Sequence, residues 1–228
     1  MNSSKISLPK EISTDLVVIG GGLAGCFAAI AAKRTNPQLD VWLIERYGFL
    51  GGMATAGYVF PMMGYSAWDP AQRKIRRLSG GLFQELLQLM HDSGYTESFG
   101  SYYKRFDCMM MRCVLDRMIE QAHVNVLFHA LMNRVEKQQQ IISKLFIQTK
   151  AGELAINTRT VIDCSGDADV IFHAGGLWEM GRIEDGLTQP ATLNFRLGNI
   201  GLISASRRSI AKKVQAAIHI GKSLDFLG

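Results

Sequence analysis

The sequence contains no apolar run long enough to cross a membrane, since none reaches the roughly 18 residues that a transmembrane helix needs. Residues 1–14, MNSSKISLPKEIST, also lack the apolar core of a secretory signal peptide. We therefore expect neither a membrane-embedded nor a secreted protein, and a cytoplasmic location by default.

Cysteine is scarce, with four residues in a chain of 228. These residues fall in apolar or helical stretches without metal-ligand pairing, so we expect no metal site. The pattern excludes a disulfide-rich scaffold and indicates free, mostly buried thiols in a reducing compartment. The cysteines are Cys26, Cys108, Cys113 and Cys164.

The net positive charge of the chain is also small, at +5, and the pI is near 9.1. The surplus is spread along the chain and partly collected in the last 25 residues, so it favours anionic partners weakly and does not indicate nucleic-acid binding. With 47% hydrophobic and 20% charged residues, the chain is typical of a globular protein with a substantial core.

The most informative stretch runs over residues 14–45, TDLVVIGGGLAGCFAAIAAKRTNPQLDVWLIE. Its first apolar run, residues 15–19, is typical of a strand buried on both faces of a parallel sheet. A glycine-rich turn follows, then a predicted helix from Leu23 to about Lys33. The apolar residues 41–44 predict a second strand, which Glu45 closes.

The glycine turn has the G-x-G-x-x-G spacing of dinucleotide-binding proteins. Gly20 allows the sharp turn, Gly22 admits a pyrophosphate to the backbone, and Gly25 lets helix and strand pack closely. The helix directs free N–H groups and its positive dipole end toward the phosphates. Glu45 stands where a carboxylate can accept hydrogen bonds from an adenosine ribose.

Glycine-rich turns are common, so an ordinary βαβ turn without a ligand is the alternative interpretation. The strand, the helix and the acid at the right distance occur together here, which favours a dinucleotide site. A second glycine pair at residues 51–52 exposes further N–H groups that can hold an anion. NAD and FAD both use this fingerprint.

The rest of the chain shows a succession of short elements rather than repeats. Tyr102 and Tyr103 could flank a planar ligand, although exposed loop tyrosines are commoner. The patterns first predict an irregular lid-like region at 58–79, a helix at 82–92 and a helix with Asp107 as N-cap to about His123. A parallel strand at 125–130 follows, then a three-stranded antiparallel meander at 132–137, 141–149 and 153–156 and a buried strand at 160–164. The last predicted elements are a strand at 192–197 and a basic amphipathic helix after Ser204.

This order of elements resembles the FAD-dependent oxidoreductases of the glutathione-reductase-type fold. Four motifs are more closely similar to a bacterial family of FAD-dependent oxidoreductases: ERYGFLGGMATAG, CVLDRMIEQA, DCSGDADV and EMGRIEDGLTQPATLNFRLGN. The resemblance covers nearly all of residues 15–200. It implies an α/β fold, in which a Rossmann-like parallel sheet carries a three-stranded antiparallel meander as a crossover, and it implies FAD as the cofactor.

The resemblance also implies which residues hold FAD. Glu45 would hold the adenosine ribose, and Met132 would offer backbone hydrogen bonds to adenine. The pyrophosphate and ribityl chain would lie along Arg46, Gly52 and Met53. The full implied set is Gly20, Gly22, Leu23, Ala24, Gly25, Glu45, Arg46, Gly52, Met53, Met132, Gly166 and Asp167.

Two absences narrow the expected chemistry. No C-x-x-x-x-C pair comes just after the second glycine motif, where disulfide reductases of this fold carry one. Cys108 and Cys113 have that spacing, but they lie on a predicted helix on which positions five apart do not face each other, so a redox-active disulfide is not expected. No histidine occurs between Glu45 and His91, so FAD is expected to bind noncovalently. His91, His123, His129 and His173 lack a supporting constellation, and no catalytic acid or base can be named.

We predict an FAD-binding domain over residues 1–190, with an irregular and helical insertion at 58–106. Residues 191–228 are expected to begin an incomplete substrate domain, which would make this chain the N-terminal half of a longer flavoprotein. A homo-oligomer or a partner chain could then complete the fold.

The predicted function is an FAD-dependent oxidoreductase that moves a hydride or an electron pair between FAD and a small organic substrate. The alternative is a truncated, catalytically silent module that binds adenine dinucleotides. A flavoprotein that modifies RNA would need a coherent basic surface, which the scattered Lys and Arg residues do not indicate.

Overall fold

A computed structural model describes residues 10–59, 61–96 and 105–194 of the chain. The elements of this part are β1 (Glu11–Ile19), α1 (Leu23–Thr35), β2 (Val41–Ile44), a single 3₁₀ turn (Gly52–Ala54), β3 (Ser66–Asp69), β4 (Lys74–Arg77), α2 (Leu82–Asp92), α3 (Cys108–Gln121), β5 (Asn125–Leu127), β6 (Leu131–Gln138), β7 (Ile141–Thr149), β8 (Gly152–Asp163) and α4 (Asp169–His173).

One six-stranded sheet carries the fold, in the order β5-β2-β1-β8-β7-β6. The first four of these strands run parallel, and β7 and β6 continue the sheet antiparallel. β1 lies between β2 and β8. The helix after β1, α1, packs on one face of the sheet, and the helix after β8, α4, packs on the other. The α/β fold with an antiparallel meander that the sequence predicts is confirmed.

The alternating side chains of β1 build a core on each face of the sheet. Leu16 and Val18 pack into a cluster with buried residues of α1, α2 and α3. Val17 and Ile19 pack on the other face with buried residues of β6, β7 and β8. A strand buried on both faces explains the continuous apolar run at residues 15–19.

The meander and the returning strand form one continuous element, which corrects the prediction of two strands at 153–156 and 160–164. β8 pairs with β7 as far as Asn157 and with β1 from Ala155 to Asp163. The polar residues 157–159 suggested a break. They are accommodated because the strand changes partners there and remains solvated.

The predicted irregular region at 58–79 contains a β-hairpin that the sequence pattern did not reveal. β3 and β4 pair antiparallel, and every residue of β4 is exposed, so no apolar alternation marks the strand. The connecting turn is closed by Asp69, whose Oδ1 accepts hydrogen bonds from the N–H groups of Ala71 and Gln72, each at 3.0 Å. Side-chain capping of a turn is a local signal, but it does not specify the strands.

Helix α3 begins at Cys108 with Asp107 as its N-cap, as predicted. The Asp107 Oδ1 accepts hydrogen bonds from the backbone N–H groups of Met109 at 2.8 Å and Met110 at 3.1 Å. These groups have no carbonyl partner within the helix, so the carboxylate satisfies donors that would otherwise depend on water.

We expect Asp107→Ala to lower the free energy of unfolding by about 1 kcal/mol, because the helix loses this acceptor. Urea denaturation followed by circular dichroism measures the change. Asp107→Asn is the matched control, since its amide oxygen can still cap the helix and should retain nearly all of the stability. Equal stabilities of the alanine variant and the parent would contradict the capping role.

Some predictions concern residues that this structure does not test. Residues 192–194 form no strand, and residues 195–197 of the predicted strand lie outside the described residues, as do Tyr102, Tyr103 and the helix after Ser204. The domain boundary at residue 190 therefore stays a prediction. In the described ranges, no helix has both the length and the apolar content needed to cross a bilayer.

Candidate functional site

The glycine turn after β1 is packed so tightly that two of its positions exclude any side chain. Gly20 has φ +99°, and a Cβ there would lie 2.2 Å from the carbonyl oxygen of Cys164. A Cβ on Gly25 would lie 1.8 Å from the carbonyl oxygen of Gly20. Glycine at both positions therefore lets α1 pack directly against the turn that joins it to β1.

Glu45 braces this turn from the end of β2. Its side chain is buried, and its Oε2 accepts a hydrogen bond of 2.7 Å from the backbone N–H of Gly21. Oε1 accepts another of 2.7 Å from the N–H of Tyr47. Each carboxylate oxygen has two acceptor sites, so the group can hold the turn and still accept hydrogen bonds from ligand hydroxyls.

The second glycine motif lies directly across from the first. The N–H of Gly51 donates to the carbonyl oxygen of Gly21 at 2.8 Å, which joins the two loops. A Cβ on Gly22 would meet nothing nearer than the Cα of Gly52, at 3.9 Å. The two motifs thus form facing backbone walls, with the space beside Gly22 open.

The turn after β8 forms a third wall, and Asp163 organises it. Its Oδ1 accepts hydrogen bonds from the N–H and the hydroxyl of Ser165, at 3.1 and 2.7 Å. Its Oδ2 accepts from the N–H groups of Val170 and Ile171 at the start of α4, at 2.9 and 3.2 Å. One carboxylate therefore fixes the turn and caps the short helix that follows it.

These walls enclose a cavity of about 350 Å³ at the carboxyl ends of β1, β2 and β8. In open α/β sheets, ligands bind outside the carboxyl ends of strands, where the chain leaves neighbouring strands in opposite directions. Nine of the residues that the sequence assigns to the cofactor line this cavity: Gly20, Gly22, Glu45, Arg46, Gly52, Met53, Met132, Gly166 and Asp167.

The other three assigned residues, Leu23, Ala24 and Gly25, lie outside the lining, in the first turn of α1. The first N–H groups of a helix have no acceptor within it, so this turn presents backbone donors beside Gly22. Sequence reasoning assigned no role to several further lining residues. Tyr47, Ala56, Gly57 and Ser165 stand within the quoted motifs, and Ala130 and Leu131 come directly before Met132.

The residues present fit the pyrophosphate and adenosine of a dinucleotide. The open space beside Gly22 is the space that a Cβ would fill, and it adjoins the positive end of α1. A buried carboxylate stands one strand away, at the end of β2, in the position that holds ribose hydroxyls in dinucleotide-binding folds. Fold and site together define a dinucleotide-binding α/β protein.

The chain belongs to the family of FAD dependent oxidoreductases, which matches residues 15–224. FAD is the cofactor of this family. No curated protein matches the chain. The family and the fold agree with the resemblance that the four sequence motifs indicated.

Among solved structures, the chain is similar to THI4 of Thermovibrio ammonificans, with a TM-score of 0.49 and 19% identity over 71% of this chain and 61% of that one. It is also similar to CabE, an aromatic hydroxylase from angucycline biosynthesis, with a TM-score of 0.50 and 15% identity over 71% of this chain and 33% of that one. The likeness to CabE supports the fold alone. The chain spans less than two thirds of the length of either protein.

Burial favours the protonated form of the two thiols near the cavity, which is the less reactive form of a cysteine. Burial, reinforced by the negative charge of Glu45, raises the pKa of Cys26 to about 12. Burial and the neighbouring Asp163 also raise the pKa of Cys164. Cys113 is the exposed cysteine of the four, and it lies on α3 away from the cavity lining.

We therefore expect one fast-reacting thiol per native chain when Ellman's reagent is added at pH 8, because thiolate and exposure together control the rate. Cys113→Ser should remove that fast reaction, whereas denatured parent protein should release the signal of all four cysteines. Rapid modification of Cys26 in the native protein, located by peptide mass, would contradict the burial of this residue.

The raised pKa of Cys26 also sets a pH dependence of stability. The folded chain keeps this proton at pH values where the unfolded thiol, with its ordinary pKa of 9.0, loses it. The stabilisation is present below pH 9 and is lost as the pH rises toward 12. Cys26→Ala should flatten this alkaline decline in urea denaturation.

Proposed function

We propose that this chain binds FAD noncovalently and serves an oxidoreductase that acts on a small organic substrate. The observation that carries the proposal is the cavity that both glycine motifs line, with open space beside Gly22. Its position at the start of α1 suits a diphosphate, and membership of the family supplies the identity of the cofactor.

The adenosine half of FAD is proposed to lie toward β2 and β6. Glu45 would accept hydrogen bonds from the ribose, because its carboxylate is already held in place by two backbone donors. Met132 would offer its backbone to adenine, and Arg46 would add positive charge beside the diphosphate. Because two hydrogen bonds already order the Glu45 side chain, ligand binding does not have to restrict its conformational freedom.

The diphosphate and ribityl chain are proposed to follow the glycine walls toward the turn after β8. Leu23, Ala24 and Gly25 would present the N–H groups of the first turn of α1 to the phosphates. Gly52, Met53, Gly166 and Asp167 would line the ribityl chain. The turn after β8 does not have to rearrange to line the ribityl chain, because hydrogen bonds to Asp163 already fix its conformation.

FAD supplies hydride and electron transfer, and the protein supplies binding, orientation and electrostatics. None of the four histidines in the described residues lines the cavity, so we assign no acid or base to them. We also propose that the substrate is a small organic molecule and that the protein works in a reducing cytoplasmic setting. A second chain or a second copy of this chain is proposed to complete the fold. Free thiols at all four cysteines support the reducing setting.

An absorbance spectrum of the purified protein tests this proposal. We expect a yellow protein whose flavin bands bleach with dithionite and return with an electron acceptor. Acid precipitation should release intact FAD, identified by mass, because no covalent bond is proposed. A colourless protein that binds ADP but takes up no FAD on reconstitution would support the silent dinucleotide-binding module instead.

A further inference from the structure

A series of charged and aromatic side chains connects α3 to the cavity. The guanidinium Cζ of Arg112 lies 3.5 Å from the ring centroid of Phe49. The Phe49 ring stacks on Tyr47, with centroids 5.8 Å apart and planes 11° apart. The Cζ of Arg46 lies 4.9 Å from the Tyr47 centroid. These four residues, hereafter the Arg112 stack, end in two residues of the cavity lining.

Arg112 also holds the second glycine motif through a hydrogen bond. Its Nη2 donates to the carbonyl oxygen of Thr55 at 3.3 Å. Thr55 is fully buried, and its hydroxyl donates to the carbonyl oxygen of Leu50 at 2.6 Å. A Cβ on Gly51 would lie 2.4 Å from the Thr55 side chain, so Thr55 packs directly beneath the turn at Gly51.

One side chain of α3 therefore supports the loop of residues 46–57 at two places, Phe49 and Thr55. Stacking through Phe49 reaches Arg46 and Tyr47 beside the adenosine end of the cavity. Hydrogen bonding through Thr55 reaches the turn that carries Gly52. A lysine could not replace this arrangement, because only the planar guanidinium can stack on a ring and donate in its plane at the same time.

A polar atom of Arg112 has no partner in the described part of the chain. Its Nε is buried without a hydrogen bond, whereas its Nη2 donates to Thr55 and its Cζ lies over the Phe49 ring. Burying an unsatisfied donor is unfavourable, so packing of this residue against the loop must compensate for it. A site that only needed stability would be served better by an apolar residue here.

We propose that Arg112 is a positioning residue for cofactor binding: it does not touch FAD, but it fixes the loop of residues 46–57 as the wall opposite Gly22. This inference rests on the proposed function. Binding sites depend on side chains and backbone held near their productive positions by a supporting shell, which here is the Arg112 stack.

The test measures ADP binding by isothermal titration calorimetry, since ADP is the half of FAD that the cavity would hold. Arg112→Met should weaken binding by about tenfold, the change expected if the loop of residues 46–57 keeps its binding conformation in about a tenth of the molecules. Arg112→Lys should weaken it nearly as much. Phe49→Leu should also weaken binding, while Phe49→Tyr, which keeps the ring, should retain the affinity of the parent.

A double variant separates positioning from direct contact. If Arg112 acts through Phe49, Phe49→Leu will add little to the loss already caused by Arg112→Met. If Arg112 instead met the phosphates directly, lysine would retain most of the affinity and the two losses would add, which would overturn the proposal. Should Arg112→Met fail to fold, the contrast between Phe49→Leu and Phe49→Tyr decides, and equal affinities of these two would overturn it.

The outcome for the parent protein separates this inference from the proposed function. A parent that binds neither ADP nor FAD would overturn both. A parent that binds ADP, together with an Arg112→Met variant that binds it equally well, would overturn the positioning role alone.

Discussion

Gly25→Ala will destabilise the folded protein by about 3 kcal/mol or more, at the upper end of what overpacking costs. The added Cβ would lie 1.8 Å from the carbonyl oxygen of Gly20, and a backbone atom in a packed turn cannot move aside as a flexible side chain can. Either α1 shifts away from β1 or the turn opens, and both changes lose apolar contacts. Urea denaturation followed by circular dichroism measures the effect.

Gly80→Ala is the matched control for this substitution. No heavy atom lies within 4 Å of the place where its Cβ would be, and the residue is exposed. We expect its stability to stay within about 0.5 kcal/mol of the parent, as for most surface substitutions. A Gly25→Ala variant as stable as Gly80→Ala would show that helix and turn do not pack as described.

Gly22→Ala will separate binding from folding. The backbone at Gly22, with φ −64° and ψ 178°, suits alanine, and the nearest atom to its Cβ is 3.9 Å away. The fold should therefore persist, with stability equal to the parent or slightly higher. The methyl group would, however, occupy the space into which the diphosphate fits.

We expect this methyl group to weaken FAD binding by about ten- to a hundredfold, the range that overpacking energies correspond to. Quenching of flavin fluorescence on titration gives the dissociation constants of the parent, Gly22→Ala and Gly80→Ala. Gly80→Ala should bind like the parent. A Gly22→Ala variant that binds FAD as tightly as the parent would show that the cofactor does not approach this backbone.

Local patterns in the sequence predicted the elements whose residues interact with near neighbours. The bounds of β2, α2 and β7 agree with the predicted ranges, because the apolar spacing within each element reflects the face that it buries. The cap at Asp107 was also predictable, since the carboxylate bonds donors only two and three residues away. Gly20, Gly22 and Glu45 line the cavity and were predictable for a further reason, because the glycine spacing and the acid after the second strand have specific mechanical roles. The other six cofactor residues in the lining were implied by the family resemblance.

Other features depend on contacts between distant parts of the chain, and no local pattern encodes them. β8 continues as one strand because it pairs with β1 beyond the residues that pair with β7. β1 lies more than a hundred residues earlier in the chain, so no local pattern shows this pairing. The two backbone hydrogen bonds of Glu45 follow from how the turn and β2 meet. The contact of Arg112 with Phe49 likewise arises only when α3 packs beneath the loop.

A competition experiment shows which half of FAD the chain holds. The purified holoprotein is titrated with ADP in one experiment and with FMN in another, and release of FAD is followed by the recovery of its fluorescence. Because the glycine motifs, α1 and Glu45 converge on the ADP half, excess ADP should displace FAD, whereas FMN at the same concentration should not. Displacement by FMN but not by ADP would show that the glycine motifs, α1 and Glu45 do not hold the ADP half.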